Sequence, residues 1–248
     1  MSGHSRWATI KRKKAGIDAK RGAEFTKCAK EITLAARAGG GNSDMNARLR
    51  AAVLAAKAIN VPNANIERAI KRGTGEIDGV VYEEIVYEGF GPGGVAIYIE
   101  AATDNRNRTF PELRKIFEKG SGTIGSPGTV AYMFEKKGII VVEKSVATED
   151  KLMEVALDAG AQDIEDIGGA FEVTAPPSAY ASVVEALAKA GITSASSEMA
   201  MVASTTSAVE TKVVEQVMRL IENLEDHDDV QKVYSNLLLD DEALADQG

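Results

Sequence analysis

One run in the second half of the chain decides the fold, residues 139–202, which read IIVVEKSVATEDKLMEVALDAGAQDIEDIGGAFEVTAPPSAYASVVEALAKAGITSASSEMAMV. Short runs rich in β-branched residues predict strands, and longer runs with apolar residues three or four apart predict helices. The predicted strands are 139–143, 163–167, 170–174 and 196–202, and the predicted helices are 148–159 and 178–190. The order βαββαβ is typical of a ferredoxin-like α+β domain.

The sequence on either side of this run predicts a second sheet. The order before it is ββαβ, with strands at 83–88, 95–102 and 129–135 and a helix at 110–119. After it, a helix at 209–224 and a strand at 230–236 belong to no complete domain. We therefore expect them to return to the ββαβ unit, which makes the ferredoxin-like domain an insertion.

The first third of the chain is helical. Apolar residues at helical spacing, among them Phe25 and Ile32, predict helices at 18–38, 46–60 and 63–72. The expected ends are the glycines at 39–41, the break at Pro62 and Gly73. Residues 2–17 are too polar and too basic to pack alone, and an extended arm is expected there.

Together these elements predict an α+β fold, with an N-terminal three-helix domain followed by two α/β sandwich domains, the last ferredoxin-like and inserted into the middle one. The expected domains are a basic extended arm and three-helix domain at 1–79, a discontinuous α+β domain at 80–136 plus 206–240, and an inserted ferredoxin-like domain at 137–205.

The charge of the chain is strongly polarised. The net charge is −8, yet residues 1–72 carry sixteen Lys and Arg against five Asp and Glu, a net charge of +11, so that the remainder is at −19. The basic end attracts phosphate while the acidic remainder is repelled by it. A solvated lysine-rich surface is the ordinary alternative, but so much positive charge on one short segment favours a nucleic-acid partner.

Four features supply candidate phosphate contacts: the arm, one stripe of the first helix, the outer face of the third helix and the polar segment 103–109. The candidate nucleic-acid-binding residues are Arg6, Lys11, Arg12, Lys13, Lys14, Lys20, Arg21, Lys27, Lys30, Arg37, Arg68, Lys71, Arg72, Arg106 and Arg108. Trp7 either stacks on a base or, in the favoured reading, pins the arm to the helices.

The segment 103–109 lies between a strand and a helix and has two readings. Arg106 and Arg108 either both point outward as phosphate ligands, or Asp104 pairs with Arg106 and fixes the loop. Thr109 or Asn107 is expected to cap the helix. The carboxylates of Asp226, Asp228 and Asp229 are expected to be solvated.

The sequence favours no catalytic or cofactor site. Two glycine segments, at 89–94 and 120–125, match the dinucleotide fingerprint but precede strands instead of a helix, so tight turns explain them better. A single cysteine, Cys28, allows no internal disulfide. With no long apolar run, no membrane partner is expected. We expect a cytoplasmic protein that is not an enzyme and has no cofactor, metal or small-molecule substrate.

Longer strings point to a family. They are GHSRWATIK at 3–11, DAKRG at 18–22, IERAIKRG at 66–73, YEGFGPGGVA at 87–96, TDNRNRT at 103–109 and DDVQKVYSN at 228–236. With these strings the chain closely resembles the YebC/PmpR family over almost its whole length. Ala64 stands where members often have a helix-capping Asp, and Asn63 is expected to substitute.

The resemblance implies a three-domain cytoplasmic protein labelled a probable transcriptional regulator, with DNA binding in some members and no enzyme activity or cofactor. Other members, including mitochondrial relatives, resemble translation factors at the ribosome. The resulting prediction is a DNA-binding transcriptional regulator that uses its basic N-terminal helical domain. The alternative is a ribosome-associated translation factor that binds ribosomal RNA.

Overall fold

A computed structural model describes residues 19–239 of the chain, with side chains from residue 22 onward. In chain order the main elements are α1 (Ala19–Gly39), α2 (Ala47–Ala58), α3 (Asn63–Thr74), β1 (Glu83–Phe90), β2 (Ala96–Thr103), α4 (Arg106–Lys119), β3 (Thr123–Ile124), β4 (Phe134–Glu143), α5 (Glu149–Leu152), β5 (Asp163–Asp166), β6 (Ala170–Ala175), α6 (Tyr180–Lys189), β7 (Ser196–Ala203), α7 (Thr211–Glu225) and β8 (Val230–Ser235). A π-helical turn, Met153–Leu157, continues α5.

The described chain divides into two compact units, one of residues 19–129 with 211–233 and one of residues 130–210 with 234–239. Each unit combines helices with a four-stranded sheet, and the sheet orders are β3-β1-β2-β8 and β5-β6-β4-β7. The predicted α+β class is confirmed. β8 lies beside β2 in the earlier sheet, and residues 211–233, which include α7, belong to the same unit.

The three N-terminal helices enclose a small apolar core. Ile32, Leu49, Ala56 and Ile66 are buried in it, and Phe25 packs against its edge. The predicted helices and their buried seam are therefore confirmed within the described residues.

Asn46 fixes the angle between α1 and α2. Its side chain accepts a hydrogen bond from the Leu49 amide at 3.0 Å, which caps α2, and donates to the carbonyls of Ala35 and Gly40 at 2.7 and 2.9 Å. Because the cap and the end of α1 share one buried side chain, the turn between these helices is rigid.

Gly73 does not end α3 as predicted. The helix continues to Thr74 and stops at Gly75, whose φ of +80° is the left-handed conformation that glycine adopts without strain. Gly73 instead lies where α3 crosses α1. A Cβ there would collide with the Thr33 carbonyl and lie 2.7 Å from the Ala36 Cβ, so the glycine permits the close approach of two backbones.

The prediction of a strand at 129–135 is wrong. Residues 126–133 form turns, with Thr129 bonded to the Ser126 carbonyl at 2.6 Å, and one continuous strand, β4, then spans both predicted strands. Its first four residues pair only with β7, so the charges of Lys136 and Lys137 are tolerated there. The domain boundary predicted between 136 and 137 falls inside this strand, and the boundary between units lies at 129/130.

The second unit has the predicted ferredoxin-like order, with every neighbouring pair of strands antiparallel. Helices cover one face of its sheet, where Ile140, Val142, Leu152, Val173 and Leu187 form the core. The two glycine segments lead into strands, as predicted: Pro92–Gly94 forms a tight turn before β2, and residues 120–122 precede β3. None of the described helices is both long and apolar enough to cross a membrane.

Glu172 lies on the other face of this second sheet. It alternates with the core residues Phe171 and Val173 along β6, and only 2% of its surface is exposed. Burial raises the pKa of Glu172 to about 7, and the neighbouring Glu165 and Asp163 act in the same direction. The sheet thus contains an acid that titrates near neutrality.

Glycine-to-alanine changes at two positions should have opposite effects on stability. Gly73→Ala forces α1 and α3 apart and should lower the free energy of unfolding by about 1–3 kcal/mol. Gly22→Ala in α1, where an added Cβ meets nothing within 4 Å, should raise it by up to about 1 kcal/mol. Urea denaturation of both variants measures the two effects, and equal effects would contradict the close crossing.

Glu172 should make stability depend on pH. The Glu172 carboxylate binds a proton more tightly in the folded protein than in the unfolded chain, where its pKa is near the ordinary 4.5. The free energy of unfolding therefore falls as the pH rises from 4.5 to about 7. The loss amounts to about 3 kcal/mol at most. Glu172→Gln should therefore be more stable than the parent protein at pH 8 and similar at pH 4, by thermal melting. Asp158→Asn, an exposed control in the same unit, should follow the parent at both values.

Candidate nucleic-acid interface

A buried carboxylate, Asp229, holds the helices against the sheet in the first unit. Its Oδ1 is 2.6 Å from Nζ of Lys30, and its Oδ2 lies 2.7 Å from Nη2 of Arg108, 2.7 Å from Oγ1 of Thr109 and 3.2 Å from Oγ1 of Thr103. Asp229 and Lys30 are 2% and 5% exposed. Both carboxylate oxygens are therefore satisfied by donors from three different parts of the chain.

These donors come from elements far apart in sequence. Lys30 lies on α1, Thr103 ends β2, and Arg108 and Thr109 are in the first turn of α4. Although burial disfavours the charged form, hydrogen bonds from Lys30, Arg108 and Thr109 hold the pKa of Asp229 well below its usual range. The carboxylate is thus ionised throughout the neutral range and pairs with two cations.

The predicted basic stripe of α1 is only partly a surface. Lys30 is buried in the Asp229 cluster and also donates to the Asp228 carbonyl at 2.9 Å. Lys27 is half-buried and donates to the Glu225 carbonyl. The expectation that these two lysines face solvent as phosphate ligands is wrong. The side of α1 that carries them contacts the backbone of residues 225 and 228. Arg37, on the last turn, is exposed as predicted.

The loop between β2 and α4 is fixed by ion pairs, but with other partners than predicted. Asp104 pairs with Arg108 at 2.9 Å, and Arg106 pairs with Glu83 at 2.7 Å. The cap of α4 is Asn105, whose side chain accepts from the Arg108 amide at 3.2 Å, instead of Thr109 or Asn107. Both arginines are engaged by carboxylates and are about half exposed.

A group of exposed cations in the first unit lies on α3. Arg68, Lys71 and Arg72 are three or four residues apart and lie on one exposed face. Among residues 22–239, none of the three has a carboxylate within ion-pair distance. We call Arg37, Arg68, Lys71 and Arg72 the basic patch.

Tyr82 connects the basic patch to the buried cluster. Nη1 of Arg37 donates to the Tyr82 carbonyl at 3.4 Å, and Nζ of Lys30 lies 5.4 Å from the centre of the Tyr82 ring. Burial raises the pKa of the half-buried Tyr82, while the nearby charge of Arg72 opposes that rise. An aromatic side chain with cations nearby is an arrangement suited to phosphate and to a stacked base.

The remaining predicted contacts lie outside the part that the structure describes. These are Arg6, Lys11, Arg12, Lys13 and Lys14, with Trp7, and the side chains of Lys20 and Arg21. Asp229 is the central residue that sequence reasoning missed, since it was expected to be solvated. A usable signal was the polar string 103–109, which has more hydroxyl and cationic donors than one loop needs.

Comparison with protein families assigns the chain to one of them. A family model described as the TACO1/YebC protein N-terminal domain matches residues 5–76, and one described as the TACO1/YebC second and third domain matches residues 82–237. The chain belongs to the TACO1/YebC family. The first match contains the basic patch, and the second contains Asp229 with its sheet and α4 donors.

Relatives of this TACO1/YebC protein agree with that assignment. A probable transcriptional regulatory protein of Acidobacterium capsulatum is 56% identical over 236 residues, which cover 95% of this chain and 96% of the relative. One of Desulforapulum autotrophicum is 54% identical over 242 residues and 98% of both chains. The crystal structure of a conserved hypothetical protein from Aquifex aeolicus, 40% identical, matches with a TM-score of 0.83 over 92% of this chain and 94% of that one.

Replacing Asp229 should destabilise this TACO1/YebC protein more than its position in a loop indicates. Asp229→Asn leaves Lys30 charged, buried and without its counter-ion, and should lower the free energy of unfolding by about 3–5 kcal/mol. Asp228→Asn, at the exposed neighbouring residue, should change it by less than about 0.5 kcal/mol. Urea denaturation compares the two variants. A small effect at Asp229 would mean that Lys30 can reach solvent.

Proposed function

We propose that this protein is a nucleic-acid-binding regulator that acts in the cytoplasm on DNA, in control of transcription, and is not an enzyme. The basic patch is the observation that carries the proposal, because its cations are exposed on one surface while Lys27 and Lys30 are occupied in the interior. The relatives' name, probable transcriptional regulatory protein, supports the regulatory part.

The basic patch is suited to phosphate because three of its cations stand close together on a helix and, within residues 22–239, are not engaged by carboxylates. Arg68, Lys71 and Arg72 project from one face of α3. The helix backbone fixes their spacing, so several of them can contact one phosphate backbone. Such contacts orient the protein without reading sequence, and the basic residues of the arm would add to them.

One observation favours RNA as a second candidate. Tyr82 lies beside Arg37 and Arg72, and aromatic rings next to arginine bind unpaired bases, which are typical of folded RNA. In this second candidate function the protein is a translation factor that contacts ribosomal RNA at the ribosome. The two candidates differ in the polymer and share the electrostatics.

The salt dependence of binding tests the basic patch. For duplex DNA the slope of log affinity against log salt changes by about 0.9 for each phosphate contact. The double variant Arg68→Gln, Lys71→Gln should therefore flatten the slope by about 2 and weaken binding. The matched control Lys115→Gln, Lys119→Gln removes the same charge from exposed positions on α4 and should flatten it by less than about 0.5.

Fluorescence anisotropy with a labelled 20-base-pair duplex and a labelled RNA stem-loop measures both slopes. Replacing Lys11, Arg12, Lys13 and Lys14 by Ala in the same titration should flatten the slope by about 3. Equal slopes for parent, patch variant and control would exclude the basic patch as the contact surface. Preference for the stem-loop that disappears in Tyr82→Ala would select the RNA candidate over the DNA candidate.

A further inference from the structure

Helix α2 is apolar on two opposite sides. Leu49, Ala52 and Ala56 on its inner side are buried in the core of the three helices. A helix at a protein surface ordinarily turns polar residues to the solvent. The solvent side of α2 instead has four exposed apolar residues at its centre, Ala47, Ala51, Leu54 and Ala58. We call these four residues the outer face of α2.

Leu54 is the largest side chain of the outer face. It is 62% exposed, and Met45, just before the cap residue of α2, is 85% exposed. Single exposed leucines are common on protein surfaces, but the outer face continues over the whole length of the helix. A continuous apolar surface gains free energy when a partner covers it. The outer face is therefore a candidate docking surface.

The order of residues in the outer face matches a helix–helix contact. Its members follow one another at intervals of four, three and four residues, which is the repeat that aligns one helix along another. Small side chains at such positions let two helix axes lie close together. Nucleic-acid interfaces, in contrast, are polar and strongly cationic, and the outer face has no hydrogen-bonding side chain. A helix of a protein is therefore the better occupant.

Two cations flank the outer face on one side. Arg50 and Lys57 are seven residues apart and exposed, and residues 45–66 contain no Asp or Glu. At this position in a pair of helices, charged side chains reach the facing helix and form ion pairs with it. The charge of this flank therefore favours an acidic partner.

Both cations can take part in such ion pairs. Among residues 22–239, Lys57 has no carboxylate within ion-pair distance. Arg50 donates from Nη1 to the carbonyls of Ser43 and Asp44 at 2.9 and 3.1 Å, and a guanidinium has five N–H donors in all. These carbonyls hold Arg50 in place without neutralising its charge.

The charges disfavour a second copy of α2 as the occupant. An antiparallel pair would bring Arg50 of one copy against Lys57 of the other, and a parallel pair would leave both cations without an acid. Arg48, on the opposite flank, is already paired with Glu31 and Glu84 at 2.8 and 2.6 Å. The complementary charges must therefore come from a different helix.

We propose that the outer face of α2 binds an α-helix of a partner protein. The partner helix has small or apolar residues at the matching spacing, with Asp or Glu beside them that pair with Arg50 and Lys57. A contact made by one helix of 12 residues is small and of the transient kind. It uses none of the basic-patch residues and does not rest on the proposed function.

Photo-crosslinking from the outer face in living cells tests the proposal. A benzophenone amino acid replaces Leu54 in the full chain, and it replaces Lys115, an exposed residue of α4, in a control. Mass spectrometry identifies the linked residue. Position 54, and not position 115, should link to a protein segment that has apolar residues three and four apart with Asp or Glu beside them.

Charge reversal on the crosslinking chain tests the flank. Arg50→Glu, Lys57→Glu should reduce the linkage from position 54 by about fivefold or more, whereas the basic-patch variant Arg68→Gln, Lys71→Gln should leave it unchanged. In solution, a synthetic peptide of the linked segment should bind the reversed variant again when its own acids are replaced by Lys.

Leu54→Ser tests the apolar contact without disturbing the fold. It should weaken binding of the same peptide about tenfold. Because Leu54 is exposed, the melting temperature should stay within about 2 °C of the parent.

Four results would overturn the proposal. They are linkage of position 54 to nucleic acid, linkage to this chain itself or to a second copy of it, no product above the control at position 115, and linkage that is indifferent to the charge reversal. Leu54→Ser should leave the affinity for duplex DNA and its salt slope unchanged, so failure of the docking surface leaves the proposed function standing.

Discussion

The charge of Asp229 is the constraint on which the first unit depends. A carboxylate that is 2% exposed is tolerated in a protein only when donors replace its water shell, and here those donors come from α1, β2 and α4. Each donor must therefore hold its position, and so must the element that carries it. Apolar packing gives the helices a core of their own, and this buried anion joins α1 to β2 and α4.

The same constraint divides the cations of the first unit into two classes. Lys27 and Lys30 have their polar atoms engaged in the interior, so their positive charge is neutralised or shared with carbonyls. Arg68, Lys71 and Arg72 have no such partner in the described part of the chain and remain in solvent. A count of basic residues therefore overestimates the surface field. What attracts a polyanion is the smaller set that the fold leaves exposed.

The sequence predicts most elements of this fold because each has a local signature. Helical spacing placed α1, α2 and α3, and β-branched runs placed the ferredoxin-like strands in their observed order. The misses have non-local causes. Gly73 resembles a helix stop but serves a crossing with α1, and β4 runs through Lys136 and Lys137 because only β7 pairs with that half. Lys30 and Asp229 lie 199 residues apart, and no periodicity reports a contact at that separation.

The sequence separation within the Asp229 cluster also sets an order of events during synthesis. Lys30 leaves the ribosome 199 residues before its counter-ion, which at about 5–20 residues per second is a delay of roughly 10–40 seconds. The ferredoxin-like unit, by contrast, has all four strands of its sheet within residues 134–203. Lys30 is without Asp229 for as long as the stretch between them is being synthesised. The set of donors and acceptor around Asp229 is complete only once the segment that carries Asp229 has been synthesised.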